Sequence, residues 1–239
     1  MKIRFFTVPN ILTLCNLLCG IMAVIYTVMQ FGSADFELAV PLFFMLGSAF
    51  FDYLDGFSAR LLNQYSALGV QLDSLADMVS FGLLPSLLLA VMFDKAGDGE
   101  SWWTMVTFSV ALCSALRLAK FNIDDSQKTS FEGLATPPCA LLVGSLAYWF
   151  TKDFGGVPMS REAIAALSLV LSWLLISPIR MFSLKFAGFG FTGINIVRYL
   201  FLALSLVLLI VGGLKMVWCI IIIYVLTSFV MWISCKKRD

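Results

Sequence analysis

Between positions 52 and 77 the sequence carries Asp52, Asp55, Asp73 and Asp77, with Arg60 and the glycines Gly56 and Gly69 among them. The flanks, from Pro9 to Phe50 and from Met78 to Met92, are nearly free of charge. Ionisable side chains beside or inside an apolar span mark a functional site, because their desolvation has to be compensated. Asp52, Asp55 and Ala59 follow at i, i+3 and i+7, and Gly69, Asp73 and Asp77 at i, i+4 and i+8. Each set therefore lies on one face of a helix. The short polar turn Asn63-Gln64-Tyr65-Ser66 lets the two faces aim at each other.

Four carboxylates brought together repel. A divalent cation resolves that repulsion, and an all-oxygen ligand set suits a hard ion, Mg²⁺ or Mn²⁺. A helix-end salt-bridge cluster is the plainer alternative. Arg60 is the sole cation of the stretch, however, and one arginine cannot balance four acids. A cation transporter using the acids as an ion path is a third alternative, and it has no use for Gly56, Arg60 and Gly69 at these gaps.

The pattern Asp52-x2-Asp55-Gly56-x2-Ala59-Arg60-x8-Gly69-x3-Asp73-x3-Asp77 resembles the full signature of the CDP-alcohol phosphotransferase family, with eight specified positions matching at every gap. The resemblance implies an integral membrane enzyme. Such an enzyme moves a phosphatidyl-type group from a CDP-linked lipid to an alcohol and releases CMP. It implies that Asp52, Asp55, Asp73 and Asp77 ligate metal, two ions of Mg²⁺ or Mn²⁺, and that Asp77 is the general base for the incoming hydroxyl. It further implies a CDP pocket lined by Asn10, Thr13, Gly56, Ala59, Arg60, Ser66 and Gly69, and a homodimer. On the residues alone, Arg60 offers a fork of donors to phosphate. Gly56 and Gly69 leave room for a nucleotide or for close helix packing. Asn10 and Thr13, one turn apart behind Pro9, serve a helix cap or a ligand equally well.

The elements that position these residues are membrane helices. Sixty per cent of the 239 residues are hydrophobic and 13% are charged, and the mean hydropathy is +0.94. This composition lies far from the soluble norm and describes an all-α, polytopic transmembrane bundle of a single domain over 1–239. Spans need about 20 apolar residues. Eight candidates follow: Pro9–Met29, Leu38–Arg60, Ala67–Met92, Trp102–Phe121, Pro137–Phe150, Ala163–Ile176, Ile194–Val211 and Met216–Ile233. They divide into a six-helix catalytic core and two further spans, and those last two read as scaffold or dimer surface. The first span, with no small-residue cleavage site before it, reads as a retained helix.

Lysine and arginine counts orient the chain. With the first residues in the cytoplasm, twelve basic residues fall on that side and four, Lys95, Lys152, Arg161 and Lys215, on the other. The reaction site then faces the cytoplasm from the inner membrane. From Leu38 to Phe51 the second helix climbs about 21 Å, which sets Asp52 in the cytoplasmic third of the bilayer. The sequence contains no histidine, which excludes histidine bases, histidine-held zinc and Ser-His triads. The six cysteines make no CxxC and read as buried thiols. A net charge of +1 gives no reason to expect a nucleic-acid partner.

Three further blocks bear on the acceptor: Ser80-Phe81-Gly82, Leu116-Arg117-Leu118-Ala119-Lys120-Phe121-Asn122 and Gly133-Leu134-Ala135-Thr136-Pro137. They resemble the phosphatidylserine synthase branch of the family, which commonly reads LRLARFN and GLPTP there; Lys120 and Ala135 depart from it. The resemblance implies CDP-diacylglycerol and L-serine as substrates, drawn from among membrane lipids and the cytoplasm. Other acceptors, glycerol phosphate or an inositol phosphate, share the same signature. Arg117, Lys120, Arg180 and Lys185 are the candidates to hold the acceptor or a phosphate. Membrane-edge snorkelling accounts equally for Arg117 and Lys120. The basic, amphipathic stretch from Ser177 to Phe186 serves equally well as a segment on the inner surface that holds anionic head groups or as a positive-inside anchor.

Overall fold

Thr7 opens the first helix, α1 (Val8–Met29), accepting a hydrogen bond from the Asn10 amide, with Pro9 in the first turn. Its buried stripe is polar or small: Asn10, Thr13, Asn16, Gly20, Ala23 and Thr27. Its exposed face carries Ile11, Leu14, Leu18 and Ile25. A water-facing helix would be arranged the other way round. Here the apolar side faces lipid, and small residues let neighbouring backbones come close. Gly20 shows the second effect, since a Cβ at that position would overlap Ser80 Oγ.

The structure, a computed structural model, describes residues 5–31, 33, 37–97, 101–124, 132–182 and 194–236. Among them every regular element is helical. After α1 come α2 (Ala39–Leu61) and α3 (Ala67–Asp77), which runs through a π-helical turn, Met78–Leu83, into α4 (Leu84–Lys95). A 3₁₀ turn, Trp102–Phe108, leads into α5 (Ser109–Ile123). Then follow α6 (Thr136–Trp149) with a π-helical extension Phe150–Phe154, α7 (Arg161–Ile176), α8 (Ile194–Gly212) and α9 (Val217–Lys236).

Among the described residues five helical stretches are long and apolar enough to cross a membrane: Val8–Met29, Ala39–Leu61, Ala67–Lys95, Trp102–Ile123 and Asn195–Ser234. This is an integral membrane bundle. The eight expected segments are all helical, but α6 and α7 have only 14 and 16 residues. The last stretch doubles back. Phe201 of α8 and Tyr224 of α9 have ring centroids 5.9 Å apart, where a continuous helix would separate them by about 35 Å. Gly213, at φ +61° in the 3₁₀ turn between them, takes the left-handed backbone that the reversal needs.

α4 stands at the centre, with Leu84 to Met92 almost entirely buried. Its side chains pack with Met45 of α2, Val143 of α6 and Leu171 of α7 in one apolar core. α1 packs along both α2 and α3, whereas α2 and α3 have little direct contact. The two acidic faces aim at each other as expected, and their aspartates converge, but α1 rather than direct α2–α3 packing joins the helices. Because the helices alternate in direction, the start of α1, the end of α2, the start of α3, the end of α5, the start of α6 and the end of α7 gather at one end of the bundle. At the other end Lys152 pairs with Glu37 at 2.9 Å and Lys215 with Asp153. There Arg161 also donates to the α4 terminus at Phe93 O, 3.1 Å, and to Gly97 O, 2.8 Å.

Candidate active site

Asp52 and Asp55, one turn apart near the end of α2, meet Asp73 of α3. One carboxylate oxygen from each lies within 4.8 Å of the others. Thr13 Oγ1 donates to Asp55 Oδ2 at 2.6 Å in a buried contact. Asp73 Oδ1 is buried without a hydrogen-bond partner. Three convergent carboxylates, one of them with an orphaned oxygen and none in an ion pair among the described residues, fit a divalent metal ion. Asp77 stands outside this trio. It is buried one turn further along α3 and accepts from Asn16 Nδ2 at 3.2 Å.

The seven residues expected around a nucleotide all line one cavity of about 500 Å³, together with Asp55 and Asp73. Local structure explains why each is there. Ser66 caps α3, accepting from the Gly69 amide at 2.9 Å. A Cβ on Gly69 would sit 3.1 Å from Ser66 Oγ and 3.2 Å from Asn10 Oδ1, so a side chain there crowds the cavity wall. Asn63, at φ 52°, turns the chain between α2 and α3. Asn10 Nδ2 ties back to Phe5 O at 2.9 Å. Asn10 and Thr13, open between cap and ligand in the sequence, leave the capping to Thr7: Asn10 braces the chain before the helix, and Thr13 reaches the carboxylates. Arg60 lies exposed at the rim.

A second cavity, about 230 Å³, is lined by Arg117, Lys120, Glu132 and the end of α7. Arg117 is 8% exposed, and its Nε has no hydrogen-bond partner. Lys120 Nζ pairs with Glu132 Oε2 at 3.1 Å. Arg180 is exposed, and its backbone forms an antiparallel bridge with Glu132. Lys185 lies outside the described residues.

The expected amphipathic surface segment is corrected over Ser177–Phe182. This stretch is not helical, and Ile179, Met181 and Phe182 are buried. It pairs with the segment before α6, Arg180 bridging Glu132 and Ile179 O accepting from the Gly133 amide at 2.9 Å, while the Leu134 amide donates to Leu174 O at the end of α7, also at 2.9 Å. α9 grips the far end of it. Tyr224 OH donates to Phe182 O at 3.1 Å, and the Phe182 amide donates to Ser228 Oγ at 3.3 Å.

Several contributors were not singled out from sequence. Asn16 is fully buried; beyond its bond to Asp77, its backbone oxygen accepts from Ser48 Oγ at 3.1 Å and Ser80 Oγ at 3.3 Å. The signal was present in the spacing, since Asn10, Thr13 and Asn16 recur at i, i+3 and i+6 on one face. Asn122 lines the larger cavity and donates to Ser74 Oγ at 2.9 Å. Glu132, beside the second cavity, had no sequence signal of its own.

Fold and site together define an integral membrane bundle with a polyacidic, metal-fitting centre open at one end. The sequence model of the CDP-alcohol phosphatidyltransferase family matches residues 6–176, and the chain belongs to that family. Among curated relatives it is 30% identical over 145 residues to the CDP-diacylglycerol–serine O-phosphatidyltransferase of Bacillus subtilis, covering 60% of this chain and 76% of the relative. It is 40% identical over 128 residues to the protein of that name from Saccharomyces cerevisiae, covering 48% and 45%. It is 28% identical over 170 residues to the archaetidylserine synthase of Methanothermobacter thermautotrophicus, covering 70% and 68%.

Proposed function

We propose that the chain transfers the phosphatidyl group of CDP-diacylglycerol to the hydroxyl of L-serine, giving phosphatidylserine and CMP. The observation that carries the transfer chemistry is the convergence of Asp52, Asp55 and Asp73 at a cavity lined by every residue expected to touch the nucleotide. Mg²⁺ or Mn²⁺ held by the aspartates would neutralise the charge that grows on the departing CMP. Arg60 at the rim pairs with phosphate through its fork of donors, and Gly56 and Gly69 keep the wall low. Asp77, held by Asn16 beside the trio, accepts the proton of the incoming hydroxyl.

Serine is the acceptor supported best. The relatives' names point to it, and so does Arg117, a buried guanidinium lining a small cavity at the same end of the bundle. A serine carboxylate leaving water needs such a partner. Lys120, Arg180 and Lys185 are the further candidates. By the distribution of basic residues, the site faces the cytoplasm from the inner membrane. A homodimer and a pair of metal ions belong to the same reading.

The test is CMP release from CDP-diacylglycerol by purified protein, with serine, glycerol phosphate and inositol phosphate as acceptors. Serine-dependent release that stops in excess chelator is the expected result. Release with glycerol phosphate and none with serine overturns the acceptor and leaves the transferase. No release with any alcohol overturns both.

A further inference from the structure

The second cavity contains one acid among its bases. Glu132 lies on its wall with Arg117 and Lys120. Its backbone is held firmly: it bridges Arg180, and the next two amides donate to Ile179 O and Leu174 O at 2.9 Å. Gly133 locks the turn. It sits at φ +71°, and a Cβ there would lie 2.6 Å from Leu175 O. The side chain is thus carried on a fixed edge. Lys120 engages only Oε2, and a carboxylate has a second oxygen with lone pairs of its own. The Lys120–Glu132 pair is also well exposed, at 52% and 32%, and a pair so exposed is weakly bound. An incoming ammonium can therefore share or take Glu132. Across the cavity Arg117, with its buried Nε unpartnered, offers the complementary charge.

We propose that Glu132 binds the ammonium of a zwitterionic acceptor whose carboxylate Arg117 holds, and that this acid makes the cavity selective for amino acids over phosphorylated alcohols. The inference rests on the serine reading above. Arg117 and Lys120 alone would attract any anion, and a phosphate more strongly than a carboxylate. One carboxylate on the wall reverses that order, because it repels a dianion and attracts a group that only the amino acid carries.

The experiment uses the full chain in detergent with CDP-diacylglycerol and serine, reading CMP release. Two competitors that cannot accept the lipid are compared: L-alanine, with both charges of serine, and propanoate, which lacks the ammonium. In the parent protein L-alanine competes with serine at least tenfold better than propanoate. In Glu132→Gln the KM for serine and the inhibition constant for L-alanine both rise at least tenfold. The inhibition constant for propanoate and the KM for CDP-diacylglycerol stay within twofold. Equal inhibition by the two compounds in the parent overturns the proposal without any variant. A parallel rise for propanoate in Glu132→Gln also overturns it, because the cavity itself has then changed shape. A parent with no serine-dependent release removes the serine reading and this proposal together. A serine-active parent that fails the competitor comparison removes only the proposal.

Discussion

Replacing Thr13 by Val removes one hydroxyl and keeps the shape of the side chain. In the parent that hydroxyl donates to Asp55 Oδ2 at 2.6 Å, with Thr13 3% and Asp55 6% exposed. A buried hydrogen bond to a charged group is worth roughly 1.5–3 kcal/mol. The loss falls on the orientation of Asp55, whose carboxylate belongs to the acidic trio. At about 1.4 kcal/mol per factor of ten, half-saturation by Mg²⁺ or Mn²⁺ should move to about ten- to hundredfold higher concentration. The assay titrates metal against CMP release at saturating CDP-diacylglycerol and acceptor, with a thermal melt in detergent as the folding control. Thr13→Val with unaltered metal half-saturation and an unaltered melt would refute the assignment of Asp55 as an oriented ligand.

Asp52→Asn, Asp55→Asn and Asp73→Asn should each abolish CMP release while the purified protein melts as the parent does; turnover surviving in any of them removes that aspartate from the metal set. Asp77→Asn should bind CDP-diacylglycerol normally, seen by equilibrium binding, yet lose on the order of 10²–10⁴ in turnover as a missing base does; weakened lipid binding with normal turnover contradicts that role. Gly133→Ala meets both a left-handed backbone and Leu175 O, and should cost about 1–3 kcal/mol in a denaturation series. A cysteine at position 64, in the turn between α2 and α3, should react with an impermeant reagent from the cytoplasmic side; reaction only from the other side inverts the orientation.

The aspartates were legible because helical periodicity converts spacing into a shared face, and because charge inside an apolar run stands out. The spans were legible from hydropathy for the same reason. What escaped the sequence was mostly long-range. Nothing local to Asn16 says that Ser48, Ser80 and Asp77 will converge on it from α2 and the far half of a different helix. The convergence of Asp52 and Asp73 was foreseen, but the means was not: α1 holds the two acidic helices while they scarcely touch. The stretch from Ser177 to Phe186 looked like a basic amphipathic segment at the membrane surface because Arg180 and Lys185 stand among apolar residues. Pairing with Glu132 and Gly133 and the grip of Tyr224 and Ser228 settled Ser177–Phe182 otherwise. Tyr224 and Ser228 themselves looked like incidental polar residues in an apolar span, since their partner Phe182 is more than forty positions away.

The π-helical turn Met78–Leu83 acts as a phase shifter. Each π turn takes up one residue more than the α-helix around it, and one residue corresponds to about 100° of rotation. The stripe bearing Gly69, Asp73 and Asp77 therefore does not continue straight into α4. Below the turn the helix shows acids to the cavity, and above it buries Leu84, Leu88 and Met92 all round. One continuous rod can in this way meet two incompatible demands, a wet polar face and a dry core, without a loop to separate them. The length of this turn is thus under tighter constraint than its composition. Exchanging Val79 for another apolar residue leaves the phase alone. Deleting it would rotate the aspartates away from α1 and α2, however well the remaining helix packed.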